Sequence, residues 1–389
     1  MWYSKLYSEE EINIIRLFRT KGVGINKFHT LIKNYGNATN FINNSFLYCG
    51  RKPLDIVSKD FVLEEVENTK KLNSTIITYL SKDYPQQLLN TDDFPPVLTV
   101  RGNIDLLKKQ KTVAIIGSRT TSINNFNFTK KIACELGQYG YVVISGLARG
   151  IDSASHLGSL KTGTIAVMAG GIGRIYPKEN ENLYYDIIEN GGCIITENYL
   201  DCPPIPEMFP LRNRIIAGLS RGVIVVDAKL MSGSLHTAGQ AIKYNKELMV
   251  FPGSPYDDRS SGSNKLIQQG ANMVLDTRDI LECLEQAYEL NDNKFDKETY
   301  VKVNDFTENV QQTPVEKKKV VKEKTVEEKA PATIEEYLIS LLDRTPIAMN
   351  ILIEEATKTY PINKINATLM KLKLEEKVVI EANQIYLGL

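Results

Sequence analysis

The fold is decided by the stretch Val113-Ala114-Ile115-Ile116-Gly117-Ser118-Arg119. Four apolar residues in a row, mostly β-branched, are typical of a short strand that is buried on both faces of a sheet. The glycine that follows lets the backbone approach a ligand closely, and the next two residues add a hydroxyl and a cation. The stretch therefore predicts a buried strand with a binding loop at its carboxyl end.

The same order of apolar run, loop and helical segment recurs along the central part of the chain. The further runs are Tyr141-Val142-Val143-Ile144, Thr164-Ile165-Ala166-Val167-Met168, Cys193-Ile194-Ile195, Val223-Ile224-Val225-Val226 and Leu248-Met249-Val250-Phe251. Strands that alternate with helices in this way predict an α/β fold with a doubly wound parallel sheet. The loops that follow the strands of such a sheet meet at one edge, where ligands bind.

The segments on either side of the sheet predict three further domains or linkers. Helical periodicity over residues 10–46, broken by Lys21-Gly22-Val23-Gly24-Ile25, indicates a small all-α helix-hairpin-helix domain over residues 1–70, followed by the sheet over 71–290. The hairpin glycines could offer N–H groups to a phosphate, although an ordinary helix-capping turn is the more common role. A mixed-charge stretch predicts a flexible linker over 291–332. Three helical segments and a hairpin then predict a C-terminal winged helix over 333–389, for contact with DNA or with protein.

Composition limits the classes of function. The 389 residues carry a formal net charge of zero, which argues against a protein that coats nucleic acid with its whole surface and leaves room for a local basic groove. The five cysteines and three histidines lack the spacing of metal ligands or of a disulfide framework. The sequence therefore predicts no metal, no cofactor and no membrane segment, and we expect a cytoplasmic protein.

The densest functional signal is Phe209-Pro210-Leu211-Arg212-Asn213-Arg214, at the expected start of a helix. Guanidinium groups match phosphate oxygens, and a helix N-terminus also favours anions. Phe209 could stack on a base. A structural alternative is an ion pair between Arg214 and Asp227, the residue that follows the Val223-Ile224-Val225-Val226 run.

Cations also follow the other predicted strands. Arg149 could bind phosphate or pair with Asp152, and each of these loops could instead hold only helix caps and turns. His156 fits a packed or surface histidine better than a catalytic one. The residues predicted to bind nucleic acid are Gly117, Ser118, Arg119, Arg149, Arg174, Tyr176, Lys178, Phe209, Arg212, Asn213, Arg214 and Lys265.

Two enzyme classes compete with a binding function. A dinucleotide-dependent oxidoreductase is disfavoured because the loop after the first strand lacks the GxGxxG fingerprint. A nucleotide-hydrolysing enzyme or nucleotide sensor would need a carboxylate beside the glycine loop Gly170-Gly171-Ile172-Gly173. Glu179 and Glu181 are available there, but no second acid or metal set accompanies them. We therefore predict no catalytic residues, and keep a nucleotide phosphoribohydrolase-like enzyme as the alternative.

At these residues the sequence resembles the DNA-processing protein A family, DprA or Smf. The resemblance covers the whole central domain, and its segments are Gly117-Ser118-Arg119, Ser145-Gly146-Leu147-Ala148-Arg149-Gly150-Ile151-Asp152, Tyr176-Pro177 with Asn180, Phe209 through Ser220, Ser232-Gly233-Ser234 with Thr237-Ala238, Pro252-Gly253, and Asn264 with Leu266-Ile267 and Gly270-Ala271. Departures from the family pattern are Asp227 in place of the usual Glu, His236 in place of an aliphatic residue, and a loop at residues 201–204 without its usual glycine.

The resemblance implies an extended Rossmann-like domain with a mostly parallel sheet that dimerises and binds and protects single-stranded DNA. It further implies a recombination mediator that loads the RecA recombinase, notably in natural transformation, without catalysis of its own. By the same resemblance the N-terminal domain is sterile-alpha-motif-like, the C-terminal domain is a winged helix, and Arg119 is the phosphate-binding arginine. The DNA path predicted along the sheet edge runs through Arg119, Arg149, Lys178, Arg212 and Arg214, with Phe209 or Tyr176 accepting a base.

Overall fold

The computed structural model describes residues 7–45 and 54–292, together with single residues and short stretches between residues 335 and 387. Its backbone contacts form two compact units, Met1–Thr313 and Pro314–Leu389. The domain boundaries drawn from the sequence at residues 70, 290 and 332 stay predictions. The predicted linker lies outside the described residues, except for its first two positions.

A nine-stranded sheet forms the centre of the first unit, in the order β1-β2-β6-β5-β4-β3-β7-β8-β9. The strands from β6 to β9 are parallel, whereas β2 pairs antiparallel with β6, and β1 antiparallel with β2. The strands are β1 Ser74–Thr78, β2 Val97–Gly102, β3 Thr112–Ile116, β4 Val142–Ser145, β5 Thr164–Val167, β6 Cys193–Thr196, β7 Gly222–Val225, β8 Glu247–Val250 and β9 Asn272–Met273. The predicted α/β fold with a mostly parallel sheet is confirmed, and the two antiparallel strands β1 and β2 extend the sheet at one side.

Helices connect the strands and cover the sheet. They are α1 Glu9–Arg19, α2 Ile25–Tyr35, α3 Ala38–Asn43, α4 Lys59–Lys71, α5 Gln86–Leu89, α6 Ile123–Gln138, α7 Ile151–Ser159, α8 Glu181–Glu189, α9 Met208–Leu219, α10 Gly233–Lys243, α11 Ser261–Gln268 and α12 Thr277–Asp292. The helical N-terminal region predicted from the sequence is thus confirmed as α1 to α4.

The apolar runs of the central strands contribute side chains to two hydrophobic cores, one on each face of the sheet. In β3, Ala114 and Ile116 belong to one buried cluster, and Val113 and Ile115 to another. Successive side chains of a strand point to opposite faces, so a strand covered on both sides must be apolar throughout. This explains why these runs do not alternate with polar residues.

The N-terminal helices share a core with the antiparallel edge of the sheet. Ser8 begins α1 with a capping box, because its side chain accepts from the Glu11 N–H while the Glu11 carboxylate accepts from the Ser8 N–H. Phe28 and Phe41 are buried in the same cluster as Ile76 of β1 and Val97 of β2. The helical region is therefore packed directly onto β1 and β2.

The topology opens a crevice beside β3. From β3 the chain winds outward through β4, β5 and β6, and it then crosses back to place β7 on the other side of β3. Loops that leave β3 and β7 consequently diverge, and ligands of doubly wound sheets bind at such a switch point.

In the second unit, the described strands form an antiparallel sheet in the order β10-β12-β11, with bounds Ile347–Ala348, Gln384–Leu387 and Val378–Glu381. Leu338, Leu352, Ile365 and Leu372 are buried. The predicted hairpin is present, because β11 pairs with β12. The winged helix itself stays a prediction.

Candidate nucleic-acid interface

A buried carboxylate shapes the loop that follows β3. Asp227, which follows β7 and is 1% exposed, accepts from the Ser118 N–H at 2.8 Å and from the Thr121 hydroxyl at 2.7 Å. A side chain on Gly117 would collide with Asp227 and with Ile151, so only glycine fits there. The Ser118 carbonyl in turn accepts from the Ile151 N–H at the start of α7. These bonds fix the backbone and leave the Arg119 side chain exposed.

Aromatic and cationic side chains converge on Phe209, in the first turn of α9. The Arg119 guanidinium carbon lies 5.3 Å from the centre of the Phe209 ring, within the range of a cation–π contact. The Tyr176 ring approaches Phe209 edge-on with centres 5.7 Å apart, and Tyr176 is half exposed. Two loops distant in sequence thus meet at the half-buried Phe209 ring.

Arg212 lines the same cleft from below but is almost fully buried. Its Nη1 donates to two carbonyl oxygens. One belongs to Gly146, the residue after β4, and the other to Val167, the last residue of β5. Burial lowers the Arg212 pKa to about 10, although the nearby Asp152 carboxylate opposes the shift and Arg119 adds to it. The side chain stays charged at neutral pH and ties two strand ends together, with its guanidinium also 5.9 Å from the Phe209 ring centre.

The far wall of the cleft is the first turn of α10. The Asn213 amide donates to the Gly233 carbonyl at 3.2 Å, and the Ser234 hydroxyl donates to the Gly117 carbonyl at 2.9 Å. Ser232 precedes the helix without capping it, and its buried hydroxyl oxygen has no hydrogen-bond partner among the described residues. The N–H groups of this turn and the helix dipole favour an anion at this wall.

Together these walls enclose an open cleft of about 790 Å³. Among the described residues that line it, four are cationic (Arg119, Arg212, Lys229 and Arg259) and the carboxylate is Asp152. Asp152 accepts from the Gly146 and Ala148 N–H groups at 3.1 and 3.3 Å, and burial raises its pKa. Lys229 and Arg259 are ion-paired with Asp258 and Asp257, so Arg119 and the buried Arg212 are the lining cations without an ion pair among the described residues. The Asp152 carboxylate is engaged in holding a loop.

Seven of the twelve residues predicted from the sequence line this cleft: Gly117, Ser118, Arg119, Tyr176, Phe209, Arg212 and Asn213. Arg149 is exposed beside it and pairs with Glu179 at 3.5 Å. Arg174 lies 3.9 Å from Asp201, and Lys178 is exposed on the same loop. Lys265 is exposed on α11, outside the cleft lining.

Arg214 is placed differently from the prediction. Its guanidinium is buried, forms an ion pair with Glu197 and donates to the Asp93 carbonyl at 2.7 Å, away from the cleft. Neither the predicted role in phosphate binding nor the alternative pair with Asp227 matches this placement. Residues two positions apart on a helix point in opposite directions, so Arg212 and Arg214 could not both face one ligand.

Several residues that shape the site were missed from the sequence. Lys229 and Arg259 line the cleft but lie in segments with no distinctive pattern. Asn180 was named in the resemblance without a role, and its amide donates to the Leu147 carbonyl at 2.8 Å. Asp227 was predicted as an ion-pair partner and noted as a departure from the family's usual Glu, but not as the residue that shapes the loop, although an acid directly after a buried strand was a usable signal. His156, by contrast, is a fully buried packing residue, as expected.

Metal-binding clusters and membrane-spanning helices are both absent from the described parts of the chain. Within these residues, no group of three or more His, Cys, Asp or Glu side chains could hold a metal ion. None of the helices there is both long and apolar enough to cross a membrane.

The fold and the cleft define a class: a Rossmann-like α/β protein with a cationic, aromatic crevice at the switch point of its sheet. A family model described as DNA recombination-mediator protein A matches residues 75–285, and the DprA-like N-terminal HHH domain matches residues 8–44. The chain belongs to the DNA recombination-mediator protein A family.

Individual relatives agree with this assignment. The chain is 42% identical over 204 residues to the DNA processing protein DprA of Bacillus subtilis, covering 52% of this chain and 68% of the relative. The structure of the Streptococcus pneumoniae protein matches with a TM-score of 0.55 at 32% identity, covering 70% of this chain and 92% of the other. The Helicobacter pylori protein, whose structure concerns its single-stranded DNA binding mode, matches with a TM-score of 0.51 at 31% identity, covering 55% and 97%.

Proposed function

We propose that the chain binds single-stranded DNA in this cleft. A phosphate lies between Arg119 and the first turn of α10, and a neighbouring base packs against the exposed face of Tyr176 or against the half-buried Phe209. Backbone phosphates and ring faces are common to all sequences, so binding is sequence-tolerant and weakens with salt.

One observation carries the proposal, namely the convergence of Arg119 and Tyr176 on Phe209 in an open crevice. Single-strand binders combine a cationic groove with rings on which bases stack. Arg119 is the exposed guanidinium of the crevice without a carboxylate partner among the described residues, which leaves its donors for a phosphate.

The twelve predicted residues divide by role in this proposal. Gly117, Ser118, Arg212 and Asn213 build the frame of the cleft, whereas Arg119, Tyr176 and Phe209 contact DNA. Arg149, Lys178 and Arg174 extend the cationic surface at the rim. The exposed carboxylates of Glu179 and Asp201 bind Arg149 and Arg174 only weakly. Lys229 and Arg259 line the cleft but are paired with Asp258 and Asp257, so they stay outside the phosphate-binding set, and Lys265 and Arg214 leave it.

The wider role is that of a homodimeric recombination mediator, which protects single strands and loads RecA onto them in the cytoplasm, as in natural transformation. Membership of the recombination-mediator family supports this role, as does the likeness to the Helicobacter pylori protein. No catalytic step is part of the proposal. For the ends of the chain we infer a sterile-alpha-motif-like helical domain and a winged helix. The helices α1 to α3 and the antiparallel sheet of the second unit support these two assignments.

The test is a pair of titrations of the full chain with labelled DNA of one sequence, single-stranded in one sample and duplex in the other. We expect tighter binding to the single strand, with similar affinities for unrelated sequences. A second assay measures whether the chain speeds the assembly of RecA filaments on single strands. Equal affinity for duplex and single strand would refute the binding proposal, whereas an unchanged rate of RecA assembly would refute only the mediator role.

A further inference from the structure

A second cavity adjoins the cleft, and the proposed function leaves it unused. This side pocket, of about 460 Å³, lies beyond the ends of β7 and β8. Its lining includes Asn124 and Phe128 of α6, Phe251 after β8, and Arg259. Arg259 also lines the cleft, so the two cavities meet at its side chain.

The lining of the side pocket differs in chemistry from that of the cleft. Phe128 and Phe251 pack edge-to-face with ring centres 4.7 Å apart and give it an apolar wall. The Arg259 guanidinium is held by both carboxylate oxygens of Asp257, at 2.9 and 2.8 Å, so this cation is already neutralised. The Asn124 carboxamide and the Ser254 hydroxyl add neutral polar groups. Aromatic walls with uncharged hydrogen-bonding groups suit a planar heterocycle better than a phosphate.

Large apolar side chains are exposed around the mouth of the side pocket. Tyr256, between the lining residues Ser254 and Asp257, is 99% exposed. Ile123 precedes Asn124 and is 77% exposed, and Leu275, itself a lining residue, is 60% exposed. Several such residues around one opening mark a binding site more often than a lone exposed side chain does.

We propose that the side pocket receives one nucleobase of the single strand whose phosphates occupy the cleft. Tyr256 closes over the base, and the Asn124 side chain forms hydrogen bonds with the edge of the base. Arg259 lies where the cleft and the side pocket meet. This inference rests on the proposed function, because the cleft must hold the backbone that delivers the base.

The test compares two probes of equal length, an oligothymidylate and an abasic oligomer that has the same phosphates but no bases. We expect Tyr256→Ala and Asn124→Ala to weaken binding of the oligothymidylate, about five- to tenfold for the tyrosine, and to leave the abasic oligomer unaffected. Tyr139→Ala is the matched control, because Tyr139 is an exposed tyrosine at the opposite end of α6, and it should change neither affinity.

Unchanged oligothymidylate affinity in both variants would overturn the side-pocket proposal while leaving the cleft intact. Equal weakening of both probes would also overturn it, because the residues would then act on the backbone. A change in self-association of Tyr256→Ala without a change in oligothymidylate affinity would assign the patch to a second copy of the chain instead. Failure of the unaltered chain to bind either probe would refute the proposed function itself, and the side pocket with it.

Discussion

Arg212 is buried beneath the cleft, with 5% of its surface exposed, and it holds the ends of two strands together. Its Nη1 donates to two carbonyl oxygens from neighbouring strand ends, and the absence of a side chain at Gly146 makes room for it. A rigid, planar guanidinium can be held between fixed acceptors in a way that a flexible ammonium cannot.

We therefore expect Arg212→Lys to lower the free energy of unfolding by about 2–3 kcal/mol, because buried acceptors lose their donors. Denaturant unfolding measures this change. Arg119→Lys is the control, since Arg119 is exposed and its replacement should leave stability unchanged within about 0.5 kcal/mol. Equal effects of the two substitutions would contradict the framework role of Arg212.

His156 gives a prediction about pH. The Thr164 hydroxyl donates to the Val143 carbonyl, so its oxygen accepts from His156 Nδ1–H at 2.7 Å, and the ring is neutral. Burial lowers the His156 pKa to about 3, below the value of about 6.5 in an unfolded chain. The unfolded state therefore binds a proton first, and stability is lost as pH falls from about 6.5 towards 3.

Between pH 6.5 and 5, this proton costs up to about 1.4 kcal/mol of stability per pH unit. His156→Asn keeps a donor near Nδ1 and removes the titration, so its stability should fall less steeply with acid than that of the unaltered chain. Some slope should remain, because burial also lowers the His29 pKa. Identical slopes in unfolding experiments across this pH range would disprove the assignment.

At the scale of elements, the loop between β3 and α6 owes its shape to Asp227. This one carboxylate accepts from a backbone N–H, a hydroxyl and the Asn125 amide. The loop bears Arg119, so its order decides where that cation points.

Asp227→Asn removes the charge and turns one acceptor oxygen into a donor. We expect a loss of about 1–2 kcal/mol in stability, and weaker single-strand binding because Arg119 is no longer held in place. Asp276→Asn is the control, because Asp276 also accepts from backbone N–H groups, at the start of α12, and lies outside the cleft lining. Fluorescence anisotropy measures the binding of both variants to single-stranded DNA. Equal affinities of Asp227→Asn and the control would show that Asp227 does not position Arg119.

The strand pattern shows what the sequence could reveal about elements. The parallel strands β3 to β8 were predictable because their apolar, β-branched runs have no other common use. The antiparallel strands β1 and β2 were missed, and in β1 the stretch Ser74-Thr75-Ile76-Ile77-Thr78 is short and half polar. In the site, the loops were predictable from the sheet topology. The directions of the side chains were not, although the two-residue spacing of Arg212 and Arg214 on a helix could have separated their roles.

At the scale of the molecule, buried charges join the N-terminal helices to the sheet. Arg19 of α1 bonds to Glu65 of α4 and donates to the Glu197 carbonyl at 2.8 Å, while the Glu197 carboxylate pairs with Arg214 of α9. This chain of contacts explains why Arg214 is placed away from the cleft.

Arg214→Met should lower the free energy of unfolding by about 3–5 kcal/mol, since it leaves Glu197 charged and buried. The double variant Arg214→Met, Glu197→Leu should recover much of that loss, because no uncompensated charge remains. Its affinity for single-stranded DNA should equal that of the unaltered chain. A double variant that is stable but binds DNA weakly would return Arg214 to the interface.

The central claim is that Arg119 meets a phosphate in the cleft. The most direct test is an anisotropy titration of a labelled oligothymidylate at several salt concentrations, with the unaltered chain, Arg119→Ala and the exposed-arginine control Arg278→Ala. We expect Arg119→Ala to bind more weakly and its logarithmic salt slope to become shallower by about 0.7, the value for one lost phosphate contact on a single strand, while Arg278→Ala behaves as the unaltered chain. An unchanged affinity and slope in Arg119→Ala would contradict the claim.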